Sequence, residues 1–135
     1  MQILVLYFTT ALFFLGLDAI MLKNVMRPLF ETRISSLLLD DLRLVPAAIF
    51  YLFYVGGLVW FVSIPALKGQ SFQAFTNGAL LGAMAYGTYE FTNYATLRDW
   101  APKMVIVDVA WGTLLTGSAA LVGVLITNWL FRTTG

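Results

Sequence analysis

Long apolar stretches alternate with short polar clusters along this chain. On a helical window the apolar stretches run roughly from Ile3 to Leu22, Leu44 to Leu67, Ser71 to Ala95 and Lys103 to Phe131. Each meets the requirement of about 20 residues for crossing a hydrocarbon core about 30 Å thick. None has the two-residue alternation of a barrel strand, and only helices and closed barrels satisfy their backbone polar groups inside lipid. The pattern therefore predicts an all-α integral membrane protein, a four-helix transmembrane bundle forming one domain over residues 1–135.

The connections between these stretches differ. Ala66 to Gln70, with Pro65 and Gly69, predicts a tight turn that makes the second and third helices antiparallel neighbours, and Thr96 to Pro102 is similarly short. The connection from Lys23 to Arg43 is long and patterned. After Pro28, which a first helical turn accepts, Phe30, Ile34, Leu37, Leu38 and Asp41 or Leu42 follow helical spacing. Glu31, Arg33, Ser35 and Asp40 fall on other faces, so the segment predicts a short amphipathic helix on the membrane surface, between the first and second spans. A cover for the bundle end is favoured over a substrate-gating lid.

Composition agrees with a membrane protein and removes several chemistries. Of 135 residues, 60% are hydrophobic and 11% charged, and the mean hydropathy of +0.84 lies outside the range of a soluble domain. The net charge of +1 supplies no field for nucleic acid, so no nucleic-acid partner is expected. Without cysteine or histidine there is no disulfide, thiolate, imidazole ligand or imidazole base. The first 18 residues lack a basic region and an evident cleavage site, so they read as a retained first span rather than a signal peptide. Six of the eight basic residues, Lys23, Arg27, Arg33, Arg43, Arg98 and Lys103, lie in two connections. Positive-inside logic then puts both termini on the non-cytoplasmic side of a bacterial inner membrane.

Against this background, Asp18, Glu90 and Asp108 stand out. Each lies inside an apolar run, at about the same distance from its basic end. An ionised group in hydrocarbon costs several kcal/mol by most scales, so such residues face one another, a wet cavity or a partner. Helical spacing puts Ala79, Ala83, Tyr86, Glu90 and Asn93 on one stripe. It puts Asp108 with Trp111, Gly112, Leu115 and Ala119, and Asp18 with Tyr7, Ala11 and Phe14. A common centre formed by the first, third and fourth helices would satisfy all three acids. The bland alternative is interhelical hydrogen bonding to Tyr86, Thr88, Thr92, Asn93 or Trp111, which fixes packing without activity. The helix dipole near Pro102 offers a further bland account of Asp108. Gly78 to Gly82 is a GxxxG pattern and Ala119 to Gly123 has similar spacing, both favouring close packing. Tyr51, Tyr54, Trp60, Phe61, Trp100, Trp111 and Trp129 supply candidates for the interfacial aromatic belt.

The segments GLDAIML, PAAIFYLFYVGGLV, AYGTYEFTNYATLRDW and IVDVAWGTLLT together resemble the bacterial membrane proteins of Domain of Unknown Function 2177, over nearly the whole chain. That resemblance implies four transmembrane helices and sites at Asp18, Tyr89, Asn93, Asp108 and Trp111. After the tyrosine of GTYE the family usually has aspartate, where this chain has Glu90. The family implies no activity.

Three functions compete. The favoured one is a small inner-membrane binding or transport protein, with a site at Asp18, Tyr86, Tyr89, Glu90, Asn93, Asp108 and Trp111 for a proton, a cation or a small amphiphile. Asp18 and Asp108 would bind charge and Glu90 would carry the proton. Four helices are thin for alternating access, so this reading calls for a homodimer in the lipid bilayer. The second is an accessory or assembly subunit of a larger membrane complex. The third, a lipid-modifying enzyme using the acids with a hard cation such as Mg²⁺ or as acid and base, ranks last because its usual motifs are missing. No catalytic residue and no cofactor are assigned, and metal binding is left open.

Overall fold

The computed structural model describes residues 1–34, 36 and 43–134. Among these residues the structure is all helical, with no strand: α1 (Gln2–Met21), α2 (Arg27–Ile34), α3 (Leu44–Leu58), α4 (Ile64–Lys68), α5 (Phe72–Thr96) and α6 (Pro102–Thr134). Wide π turns, Leu22–Met26 and Val59–Ser63, join α1 to α2 and α3 to α4 without a break in the rods. Both precede a proline, Pro28 and Pro65. Proline has no N–H and its ring crowds the carbonyl four residues back, so a helix interior takes it only where the ladder is adjusted. Here the N–H groups of Arg27 and Ile64 reach back five residues, to the carbonyls of Leu22 and Val59.

Three rods are long and apolar enough to cross a membrane: Gln2–Thr32, Val45–Lys68 and Pro102–Phe131. The fourth, α5, has 25 residues, about 37 Å at 1.5 Å per residue, yet is not among those three. Its sequence shows why: Gln73, Thr76, Asn77, Thr88, Thr92 and Asn93 interrupt its apolar residues. Large apolar side chains lie exposed on the outside of the other rods, including Phe8, Leu12, Phe53, Trp60, Phe61, Ile106 and Trp129. Exposed apolar surface on this scale suits lipid rather than water.

Two expectations change at the helix ends. Pro65, Ala66 and Leu67 lie inside α4 rather than in a turn, and the chain reverses only at 69–71. The π turn before Pro65 absorbs its missing hydrogen bond, so this proline no longer ends the helix. The residues after Pro28 are helical as expected, but to Ile34 they continue α1 instead of forming a separate helix. The amphipathic pattern carried by Ser35, Leu37, Leu38, Asp40, Asp41 and Leu42 falls outside the described residues. What is described of α2 covers one end of the rods: Ile34, Leu29 and Phe30 pack with Trp100, Ala101, Met104 and Val105.

The tightest contact lies between α5 and α6 and is made by glycine. A Cβ on Gly82 would stand 2.8 Å from the Thr116 side chain and run into the Gly112 carbonyl. A Cβ on Gly117 would stand 2.8 Å from the Phe75 carbonyl. The GxxxG pattern thus faces α6, with Ala74, Gly78, Gly82 and Glu90 as the buried stripe of α5. The stripe expected through Ala79 and Ala83 is only half-buried, because glycine lets α6 come closer than a methyl group does. Gly123 receives the Thr10 hydroxyl of α1 in the same way. Leu6, Phe14, Val55, Leu58, Leu115 and Val124 fill the core between α1, α3 and α6.

Candidate functional site

Beyond this seam the rods separate around a cavity of about 380 Å³, within the roughly 300–1,000 Å³ of small-molecule pockets. Asp18, Leu22, Met26 and Phe30 line it from the first rod, and Ala47, Phe50, Tyr51 and Tyr54 from α3. Ala85, Tyr86 and Tyr89 come from α5 and Asp108 from α6. Leu22, Ala47 and Phe50 are themselves exposed, so they form the rim.

Packing explains why the cavity lies here. Tyr86 rests its ring on the bare backbone of Gly112, so one residue of α6 both ends the close seam and seats the aromatic wall. Tyr54 meets Tyr86 edge to face at 6.5 Å and Phe14 at 5.6 Å, and its hydroxyl lies 3.1 Å from Thr116 Oγ1. Phe50 stacks on Tyr54 at 6.4 Å. The Tyr86 hydroxyl is buried without a hydrogen-bond partner.

Each acid is held differently. Asp18 accepts a 3.1 Å hydrogen bond from Trp111 Nε1, and Tyr51 lines the same cavity. Glu90 is fully buried and does not line the cavity. Its Oε1 accepts a 2.8 Å bond from Trp100 Nε1, whereas Oε2 receives none. Asp108, nearly buried but on the cavity wall, interacts with both Glu90 and Asp18. The order is thus Asp18, Asp108, Glu90, from the cavity inward. Asp108 is the seventh residue of α6, and a dipole contribution falls off within the first turn.

The structure brings together the acids of three helices, with Tyr86 and Tyr89 beside two of them on the wall. Trp111 is joined to the site through its hydrogen bond to Asp18, whereas Asn93 does not line the cavity. Among the described residues the one ion pair is Arg27 to Glu31 at 3.0 Å, away from the three acids. Also among the described residues, no group of three acids has spacing suited to a metal ion.

Sequence reasoning missed the role of Trp100, taken as a belt residue. It is buried, donates to Glu90, and lies between Phe30 at 5.4 Å and Tyr89 at 5.9 Å. Its position ten residues after Glu90, across the α5–α6 turn, was the available signal. Tyr51 and Tyr54 were likewise read as belt residues, although their spacing of three puts both hydroxyls on one face of α3.

A helical protein with membrane-crossing rods and carboxyls in its apolar interior is an integral membrane protein. The chain belongs to the family described as Predicted membrane protein (DUF2177), whose model matches residues 3–125. Neither curated proteins nor solved structures gave a match.

Proposed function

We propose that this is a four-span protein of the bacterial inner membrane whose carboxyl-lined cavity binds a small ligand: a proton, a cation or a small amphiphile. In this reading α5 is the fourth span, with the hydroxyls of Thr76 and Thr88 satisfied by carbonyls of their own helix. Both termini are non-cytoplasmic, which puts the cavity in the cytoplasmic half of the membrane. The observation that carries the reading is that Asp18 and Asp108 stand on the wall of a cavity that, among the described residues, no basic side chain lines. Asp18 accepts from Trp111, and both acids also face space a ligand would fill. Tyr51, Tyr54, Tyr86 and Tyr89 line the cavity around Asp18 and Asp108. A second copy would complete a path across the membrane.

Thermal unfolding of the purified protein tests this. Alkali cations, alkylammonium ions and neutral alcohols are added in turn, since a ligand of the folded state raises stability by about 2.7 kcal/mol at one hundred times its Kd. At least one should stabilise the wild type and lose its effect in Asp108→Asn, which keeps size and hydrogen bonding. Identical responses of wild type and Asp108→Asn to every addition would contradict a charged binding site.

A further inference from the structure

We infer that the ligand of this cavity is an organic cation bearing an alkylated ammonium group, a reading that rests on the binding function proposed above and names its substrate class. Two independent features lead there. The first is charge. Asp18 and Asp108 project onto the wall, Glu90 lies fully buried behind Asp108 with Oε2 undonated, and among the described residues no Lys or Arg lines the space. Uncompensated negative charge in a low dielectric is costly, so a positive ligand gains what a neutral one does not.

The second feature is the wall itself. A bare metal ion asks for several oxygen ligands at short, fixed distances, and among the described residues no three acids are grouped for that. Phe50, Tyr51, Tyr54, Tyr86 and Tyr89 instead supply aromatic rings. Rings attract a cation within about 6 Å of their centroids, most effectively when it is weakly hydrated, and aromatic cages are the recurring solution for quaternary ammonium groups. Two carboxyls set the charge of the ligand, and the rings set its greasy surface. The exposed rim at Leu22, Ala47 and Phe50 gives an amphiphilic cation an entry from the side of the bundle.

Calorimetric titration of the full chain in a maltoside detergent with choline, with its neutral carbon isostere 3,3-dimethylbutan-1-ol, and with Na⁺ distinguishes the possibilities. Choline should bind at least about tenfold more tightly than the alcohol, and equimolar Na⁺ should not displace it. Asp18→Asn and Asp108→Asn should each weaken choline about tenfold or more. Phe50→Leu, on the rim and outside the hydrogen-bonded network, should weaken choline about threefold to tenfold with helical content and alcohol binding unchanged. Equal binding of choline and the alcohol, or displacement of choline by Na⁺, overturns the organic-cation assignment; binding that still depends on Asp108 then leaves the charged site standing. Binding of none of the three, with Asp108→Asn indistinguishable from wild type, removes both.

Discussion

The two halves of the α5–α6 contact are built from opposite materials. In one half Gly78, Gly82 and Gly117 let the helices touch through backbone and small side chains. In the other, beginning at Tyr86 and Gly112, bulky aromatics and three acids take over, and residues of all four rods line a cavity. The contrast teaches that the cavity is set by the seam. Helices held at glycine distance can admit a tyrosine ring only where a second glycine, Gly112, leaves a notch, and that ring is the floor on which the aromatic wall is assembled.

Breaking the seam should therefore have the largest effect. Gly82→Leu or Gly112→Leu puts a side chain into backbone or into the Tyr86 ring, and overpacking of this kind costs about 3 kcal/mol or more. Both variants should elute as aggregates or unfold well below wild type in detergent. Gly16→Leu, at a position open to its surroundings, should be unaffected. Equal tolerance at all three positions would mean that the helices do not approach this closely.

Trp100→Phe probes the other half and should rank second. It preserves an aromatic between Phe30 and Tyr89 but withdraws the donor from Glu90. Losing a hydrogen bond to a buried charged group costs about 1.5–3 kcal/mol, read from thermal unfolding. Glu90→Gln on top of Trp100→Phe should recover part of that loss, because an amide tolerates the missing donor better than a carboxylate. No coupling between the two substitutions would detach Trp100 from the site.

Tyr54→Phe should give the smallest change. It removes the hydroxyl that meets Thr116 and keeps the ring contacts with Phe14, Phe50 and Tyr86. Interhelical bonds of this type average about 0.6 kcal/mol in membranes, so the unfolding midpoint should barely move. A loss as large as that of Trp100→Phe would make the hydroxyl part of the same network as the acids.

How far this comparison was legible in the chain follows from the kind of information each half uses. The seam was readable, because GxxxG spacing is local to one helix and names its own face. The stripe drawn through Ala79 and Ala83 is only half-buried at those two residues, although Ala79 still meets α6 at Gly117. The acids were conspicuous for their cost in lipid, and helical phase alone oriented Asp18, Glu90 and Asp108 toward a shared centre. Trp100 was not readable in that way. A tryptophan near a membrane boundary satisfies the belt pattern, and only the fold of the α5–α6 turn reveals that its N–H points inward to Glu90. The α1–α2 junction was hidden for a related reason: a proline reads as a helix start, and the widened turn that carries the rod through it leaves no residue-level signature.

Whether Asp108 faces a reachable cavity selective for positive charge can be read by thiol chemistry, because the chain contains no cysteine. Ala85→Cys places one thiol on the cavity wall. Its reaction rates with a trimethylammonium-bearing and a sulfonate-bearing methanethiosulfonate are compared with those of Lys68→Cys, at the exposed opposite end of the rods. The account predicts that the cationic reagent is favoured at Ala85→Cys by about tenfold over its preference at Lys68→Cys, and that adding Asp108→Asn to Ala85→Cys sharply reduces this preference. An unreactive Ala85→Cys thiol, or the same cation-to-anion ratio at both sites, would contradict it.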